Sequence, residues 1–421
     1  MPIDIEKIRS QFPSLAVTDD NRARIYFDNP GGTQVPQIVI DRMTDCLIRN
    51  NANLGGAFAS SIGAGAIIDG ARAAMADFVN AASPDEIVFG QNMTTLTFSM
   101  SRSLGRRFTA GDEIIVTRMD HDGNVSPWLL LARDLGLTVK WLDFNPETFE
   151  FDLTDFAALL SPKTRFVAVN HASNATGTIN DVKAISRLAR EAGALVYVDS
   201  VQYAPHGSID VQDIGCDFLV CSAYKFFGPH QGILWGRADL LAELEAYKGR
   251  PAASAGPEKF ETGTQSHEGL AGVTAAVDYF ASIGATMGAD RHARHAGFSG
   301  RRRDVRVAMD VLFAYEKTLA ERLIDGLSGL PDVTVQGITA PDAMGRRVPT
   351  ISFTTPRHAP RDLAKALAAE NVFAWSGHNY AVEAIDRLGL AGKGGVLRLG
   401  LAHYNTADEV DIVVDTLRRV M

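Results

Sequence analysis

Seven short runs of aliphatic and β-branched residues, set between amphipathic stretches, constrain this chain more than any other feature. They fall at 86–89 (EIVF), 113–117 (EIIVT), 138–142, 166–169 (FVAV), 195–198 (LVYV), 218–220 and 232–235. Taken together they are nearly all apolar instead of alternating, which suits strands covered on both faces in a mostly parallel sheet. Helical patterns separate several of them, at 128–135, 153–160 and 182–192, the last closed by Gly193 as a helix-ending glycine. Such alternation predicts an α/β architecture whose ligands bind beyond the carboxyl ends of the strands.

After Gly284 the pattern changes. Val305, Ala308, Leu312, Tyr315, Leu319, Leu323 and Leu327 recur at steps of three and four, predicting one long amphipathic helix. Further helices are expected at 362–370 and 407–419, with short strands between. A chain of 421 residues exceeds the ~250–300 at which a single core stops growing. We therefore expect a large domain over 21–283 and a smaller α+β domain over 284–421, with residues 1–20 packing on the latter and an exposed connection at 284–300. His292 and His295 stand three apart in that connection with no carboxylate or cysteine cluster beside them, so no metal site is read there.

A net charge of −9 argues against a nucleic-acid surface, which needs clustered positive charge. The one basic run, Arg301-Arg302-Arg303 with Arg306, opens a helical pattern and reads as a solvated helix face. No apolar run of the ~18 residues that cross a bilayer is evident, and the first residues, carrying Asp4 and Glu6, lack the apolar core of a signal peptide. Cys46, Cys216 and Cys221 form neither a disulfide framework nor a CxxC pair. The expectation is a cytoplasmic protein with a small-molecule substrate and no membrane or nucleic-acid partner.

Chemistry concentrates where strands end. Val198-Asp199-Ser200-Val201-Gln202 follows one apolar run, and Ser222-Ala223-Tyr224-Lys225 follows another, the lysine lying 225 − 199 = 26 positions after the aspartate. A lysine amine that can form an imine, with a carboxylate to hold a pyridine nitrogen protonated, is what pyridoxal 5′-phosphate (PLP) chemistry requires. Asn92-Met93-Thr94-Thr95 lies between a strand and a helix-like run, where backbone N–H groups can hold a phosphate, and Ser222 offers a second hydroxyl. His121 follows 113–117 and can stack on a flat ring or move protons. Arg398, a lone cation in an apolar strand (Val396-Leu397-Arg398-Leu399-Gly400), needs a carboxylate partner, either internal or on a substrate. Neither GxxxxGK[ST] nor GxGxxG occurs, so nucleotide binding and a dinucleotide-dependent oxidoreductase are poorly supported.

These residues resemble a known family. The chain is similar to class V aminotransferase-fold enzymes of fold type I, and within them to the cysteine desulfurase and selenocysteine lyase group. Matching stretches run at 26–36, 85–95, 111–128, 170–177, 198–202, 222–228, 260–265, 376–381 and 398–406. The resemblance implies a large domain with a mixed, mostly parallel seven-stranded sheet and a smaller α+β C-terminal domain. It implies Lys225 as the Schiff-base lysine and the base for the α-proton, Asp199 as partner of the pyridine nitrogen, Gln202 as donor to the ring's phenolic oxygen and His121 as the stacking ring. Asn92, Met93, Thr94 and Ser222 would hold the phosphate. Thr264, in Gly263-Thr264-Gln265, would reach the phosphate of a neighbouring subunit, implying a homodimer with shared active sites. Gly32, Asn174, Tyr380 and Arg398 would face the substrate, the last meeting its carboxylate together with Asn174.

The chain departs from that group at a telling place. Desulfurases carry their sulfur-accepting cysteine on a loop that here reads Ser376-Gly377-His378-Asn379-Tyr380-Ala381, with Tyr380 where the thiol would be. Tyr224 stands where a histidine usually precedes the lysine, and Trp375 replaces an arginine. A phenol cannot form a persulfide, so the expectation is an amino-acid enzyme that removes the α-proton, as a β-lyase or aminotransferase, without persulfide transfer. A racemase or epimerase of the same fold, or a non-catalytic PLP-binding partner protein, are the alternatives.

Overall fold

The computed structural model describes residues 3–421. Its centre is a seven-stranded sheet of β1 (Ile87–Gly90), β2 (Glu113–Thr117), β3 (Thr138–Leu142), β4 (Thr164–Asn170), β5 (Leu195–Asp199), β6 (Phe218–Ser222) and β7 (Gly232–Gly236). The spatial order is β1-β7-β6-β5-β4-β2-β3. Only β7 runs against its neighbours, pairing antiparallel with β1 and β6, so the expected mixed, mostly parallel sheet is present.

Strand bounds differ from the sequence expectation where capping chemistry intervenes. Ser83 accepts from Asp85 N while Glu86 reaches back, a capping box that winds Pro84–Glu86 into a 3-10 turn. The first strand consequently starts at Ile87, not Glu86, and reaches Gly90.

Ten helices of interest surround the sheets: α1 (Gln37–Arg49), α2 (Ala59–Val79), α3 (Met93–Gly105), α4 (Ser126–Leu135), α5 (Leu153–Leu159), α6 (Val182–Glu191), α7 (His267–Met287), α8 (Gly300–Ser328), α9 (Pro360–Ala369) and α10 (Ala407–Val420). Alternate sheet residues face two separate cores. Phe89, Ile115, Val167, Val198 and Leu219 point to one. Val88, Ile114, Phe166, Tyr197 and Val220 point to the other, against Trp128 and Leu104. This explains the continuous apolar runs: both faces are covered.

A second sheet of four strands, β8 (Thr334–Gln336), β9 (Thr350–Thr354), β10 (Trp375–Gly377) and β11 (Val396–Gly400), has the order β8-β9-β11-β10. Its core joins Ile351, Phe353, Leu397 and Leu399 to Leu319, Leu323 and Leu327 of α8. The first half of that helix, through Val305, Ala308, Met309 and Leu312, packs instead into the core of the large sheet. The two cores therefore part within α8, between Leu312 and Leu319, and not at the expected position 284. The start of the chain meets both regions: Ile8 and Phe12 lie in the large-sheet core, Arg9 pairs with Glu409 and Phe12 packs on His403 and Tyr404 near the C-terminus, and Ile25 and Phe27 join the smaller core.

Two surface readings also change. Arg301 and Arg302 both bind Asp77, and Arg302 donates to Asn80 Oδ1 and Ala81 O; Arg306 pairs with Asp210. The basic run is a set of ties to α2 and its C-terminal turn, not a solvated face. His292 meets Gly284 O and His295 meets Asp310. Contrary to the reading of apolar runs, α7 is long and apolar enough to cross a membrane by length and composition. It is mostly buried, with Leu270, Val273, Val277 and Phe280 in the large-sheet core, as a central helix of a globular fold is.

Candidate active site

The carboxyl edge of the large sheet collects the chemistry. Register places Asn170 beside Asp199, Asp199 beside Val220, and Gly232 beside both Ser222 and Gly90. A Cβ at Gly232 would collide with the backbone of Asn92, so glycine there lets the turn before α3 fold over the edge. Above it opens a cavity of about 790 Å³ lined by residues of both sheets, among them Asn92, Thr94, His121, Asp199, Gln202, Ser222, Lys225, Trp375, Tyr380 and Arg398.

Lys225 ends a single 3-10 turn, Ala223–Lys225, directly after β6. Its ammonium donates to Pro30 O and lies 4.8 Å from the centre of the Tyr224 ring. Burial, reinforced by the Arg398 guanidinium and opposed by Asp28 and Asp199, pushes its pKa down to about 7. A large fraction of this amine is therefore unprotonated at neutral pH, as an imine-forming lysine must be. Asp199, the last residue of β5, accepts from Val201 N at 2.8 Å. Burial pushes its carboxyl up to about 7, and a cation placed against it would offset that desolvation.

The start of α3 lines the same cavity. Asn92, part of that lining, also caps the helix, its Oδ1 accepting from Thr95 N at 2.9 Å. Met93 N donates to Ser222 Oγ at 3.0 Å. Since the Ser222 oxygen accepts there, its proton remains to be donated. A 13-residue helix start beside the hydroxyls of Thr94 and Ser222 is a place for a phosphate.

His121 caps a short turn, its Nδ1 accepting from Gly123 N at 2.9 Å, which puts the proton of the neutral ring on Nε2. Burial, with Lys225 and Arg398 adding repulsion, pushes its pKa down to about 4. The supporting loop is fixed from below. The fully buried Asp120 accepts from Asn124 Nδ2 at 2.6 Å and from Asn170 N at 3.2 Å, and Trp128 Nε1 donates to Asn124 Oδ1 at 3.2 Å.

Arg398 projects from β11. Its Nη1 donates to Asn174 O at 3.1 Å, and its Nη2 lies 3.4 Å from Asp28. The internal partner considered from sequence is thus Asp28, yet the contact is long and Nε has no partner. Asn174 Nδ2 is engaged by Asn379 O at 2.6 Å, while its Oδ1 is unpartnered. Gln202 Nε2 donates to Thr350 Oγ1 at 3.0 Å, and its Oε1 is also unpartnered. Turning this amide over lets Thr350 donate to Oε1 and aims the NH₂ at the cavity.

Not every expected residue reaches the cavity. Gly32 lies one residue beyond the lining; Gly31 takes that place, while a Cβ at Gly32 would meet the Tyr224 ring at 3.3 Å. Thr264 is exposed on the segment before α7 and is absent from the lining formed by its own chain. Sequence reasoning missed Asp28 as a site residue, along with Pro30, Asn170, Thr95 and the parallel ring pair Tyr224–His230, 5.1 Å apart. Asp28 lies in the matching stretch 26–36, but nothing in that stretch alone assigns it a partner, which stands far off in the chain.

The lining suits PLP. Buried polar atoms on Gln202, Asn174 and Arg398 lack protein partners, and such groups demand a ligand or water. A desolvated lysine and a buried carboxylate lining one cavity with a helix start define a PLP-dependent enzyme of fold type I. The Aminotransferase class-V family model matches residues 25–298 and 306–413, and the chain belongs to that family. An aminotransferase-like protein of Gibberella zeae is 34% identical over 99% of this chain and 98% of its own. A cysteine desulfurase of Pectobacterium atrosepticum is 31% identical over 100% and 98%. Among solved structures, the apo cysteine desulfurase of Thermococcus onnurineus NA1 superposes with TM-score 0.86 at 26% identity, covering 100% of this chain and 98% of that one. The chain is therefore a cysteine desulfurase-like PLP enzyme, and its cofactor is pyridoxal 5′-phosphate.

Proposed function

We propose that this enzyme removes the α-proton of an amino acid and completes a β-lyase or aminotransferase reaction without passing sulfur to a protein thiol. One observation carries the reading: among the described residues no cysteine lines the cavity. Cys46, Cys216 and Cys221 are free and buried, and burial pushes the thiols of the last two far above their ordinary range. Buried, protonated thiols are poor nucleophiles. Tyr380 occupies the segment at the mouth.

Bound at this edge, PLP supplies an electron sink for the substrate carbanion. The chain's own residues do the rest. Lys225 Nζ accepts and returns the proton. Asp199 holds the ring nitrogen, Gln202 donates to the phenolic oxygen, and His121 covers the ring. Thr94, Ser222 and the first turn of α3 hold the phosphate. Arg398 fixes the substrate carboxylate, in exchange for its weak contact with Asp28.

The proposal includes a homodimer in the cytoplasm, with Thr264 serving the partner's site. In support, Ile40, Leu47, Ile48, Leu54, Phe58 and Ile62, on α1 and around the start of α2, are 41–75% exposed; apolar side chains in such number mark an interaction surface.

The test incubates purified holoenzyme with a panel of amino acids, with and without a keto-acid acceptor. Keto acid and ammonia, or a new amino acid, are followed together with protein-bound persulfide. Keto-acid or amino-acid product without persulfide is expected. Persulfide accumulating on the protein from cysteine refutes the reading.

A further inference from the structure

The segment 376–381 makes contacts that a swinging carrier loop would not need. The Tyr380 ring lies parallel to the His121 ring, centroids 5.2 Å apart with 19° between planes. Asp122 N donates to Tyr380 O at 2.7 Å, so the backbone beside the same histidine is tied to the same tyrosine. Asn174 Nδ2 holds Asn379 O at 2.6 Å, and Arg118 pairs with Glu383 just beyond. Within the segment, Tyr380 N donates to His378 Nδ1 at 3.0 Å.

Its backbone is also committed. Asn379 and Tyr380 have φ of 51° and 58°, two successive residues with side chains in the left-handed region. Asparagine visits that region readily, but for Tyr380 the conformation is costly and persists only where surrounding contacts over-determine it. A loop selected for mobility would place glycine there.

We propose that Tyr380 is a positioning residue: its ring clamps one face of the His121 imidazole and so fixes the other face parallel to the cofactor ring. Residues 376–381 then form a docked clamp between the two domains. This rests on the reading that the segment carries no sulfur, and it reassigns Tyr380 from the substrate to the histidine. The geometry also accounts for the neutral imidazole. Burial, then Lys225 and Arg398, oppose a positive charge on it, and its Nδ1 is occupied by Gly123 N.

The test compares Tyr380→Phe, Tyr380→Leu and Tyr380→Cys with the parent, using cofactor dissociation constant, the position and pH dependence of the bound-cofactor absorbance band, and its circular dichroism. None of these needs substrate. An aromatic pair contributes enough that losing the ring should weaken cofactor binding about two- to tenfold and alter the band in the Leu and Cys variants. Tyr380→Phe, which keeps the ring and loses only the hydroxyl, should match the parent. Melting of each variant without cofactor shows whether it is folded; if the Leu variant is not, the Cys variant decides. An unchanged dissociation constant and band in the folded Leu or Cys variant, or a Phe variant as impaired as Leu, overturns the clamp. Persulfide detected on the parent enzyme would overturn the proposed reaction while leaving these measurements to judge the clamp separately.

Discussion

Arg398 offers the sharpest test of how the site reads a substrate. The guanidinium is buried, spends Nη1 on a backbone carbonyl, holds Asp28 only at 3.4 Å, and leaves Nε unpaired. A substrate carboxylate would complete it with two charge-assisted hydrogen bonds, each contributing about 1.5–3 kcal/mol. Arg398→Gln should therefore cost about 3–5 kcal/mol, and at about 1.36 kcal/mol per decade this is roughly a 150- to 5,000-fold loss in kcat/KM. The loss has a pH signature. Burial already raises the Asp28 carboxyl above its ordinary range, while Arg398 pulls it down. Without the guanidinium that carboxyl rises further, and its charged form repels the incoming carboxylate. The variant's remaining kcat/KM should fall as pH rises through the Asp28 titration, and adding Asp28→Asn should recover part of it and flatten the profile. Initial rates across pH would be measured with an amino acid and with the matching amine lacking a carboxylate. The amine should lose less than about tenfold, because it never used the fork. Equal losses for acid and amine, or a loss under tenfold for both, would refute carboxylate recognition by Arg398.

Four further outcomes are expected. Lys225→Ala should abolish the imine-bound cofactor band and reduce turnover by at least about 10³-fold; a variant with an intact band and turnover would remove the basis of the mechanism. In the cofactor-free protein, burial depresses the pKa of His121 to about 4 and of His171 to about 3. The unfolded chain, with histidines near 6.5, binds more protons at these positions below that pH, so each buried histidine removes up to about 1.4 kcal/mol per pH unit on acidification from about 6.5, while Asp199, raised to about 7 by burial, contributes the opposite slope; the urea midpoint of His171→Gln should therefore gain on that of the parent as pH falls from 7 to 4.5, and a constant difference would contradict a buried neutral imidazole. Glu316, fully buried on α8, accepts from His206 Nδ1 at 2.8 Å, and Glu316→Gln should cost about 1–3 kcal/mol by urea denaturation. Ile48→Glu, at a position 75% exposed, should convert a dimer to monomer in light scattering, and a parent that is already monomeric would contradict the shared-site proposal.

How far the sequence carries depends on the distance over which a residue finds its partner. β2, β4 and the strand bearing Asp199 were legible because burial on both faces writes itself as an apolar run. Lys225 and Asp199 were legible for the same reason: a strand points each at one edge, and adjacent strands bring those edges together. The domain division was not. α8 carries one uninterrupted amphipathic stripe, and nothing along it records that Leu312 faces one core and Leu319 another. The arginines at its start looked like a solvated face because Asp77, their partner, lies more than two hundred residues earlier.

The same limit separates the two halves of the active site. The cofactor side is built from residues that follow strands of a single sheet, so local pattern and chemistry locate it. The substrate side is assembled from pieces that meet only after folding: Asp28 before α1, Asn174 after β4, Tyr380 beyond β10 and Arg398 within β11. Asp28 takes its meaning from the guanidinium 3.4 Å away, and Tyr380 from the imidazole it covers, and neither relation has any signature along the chain. Substrate choice is set by this second half. A family match therefore fixes the cofactor, while the proposed reaction turns on contacts between segments. In the reading proposed for this enzyme, the contact that matters most is the stacked pair of Tyr380 and His121.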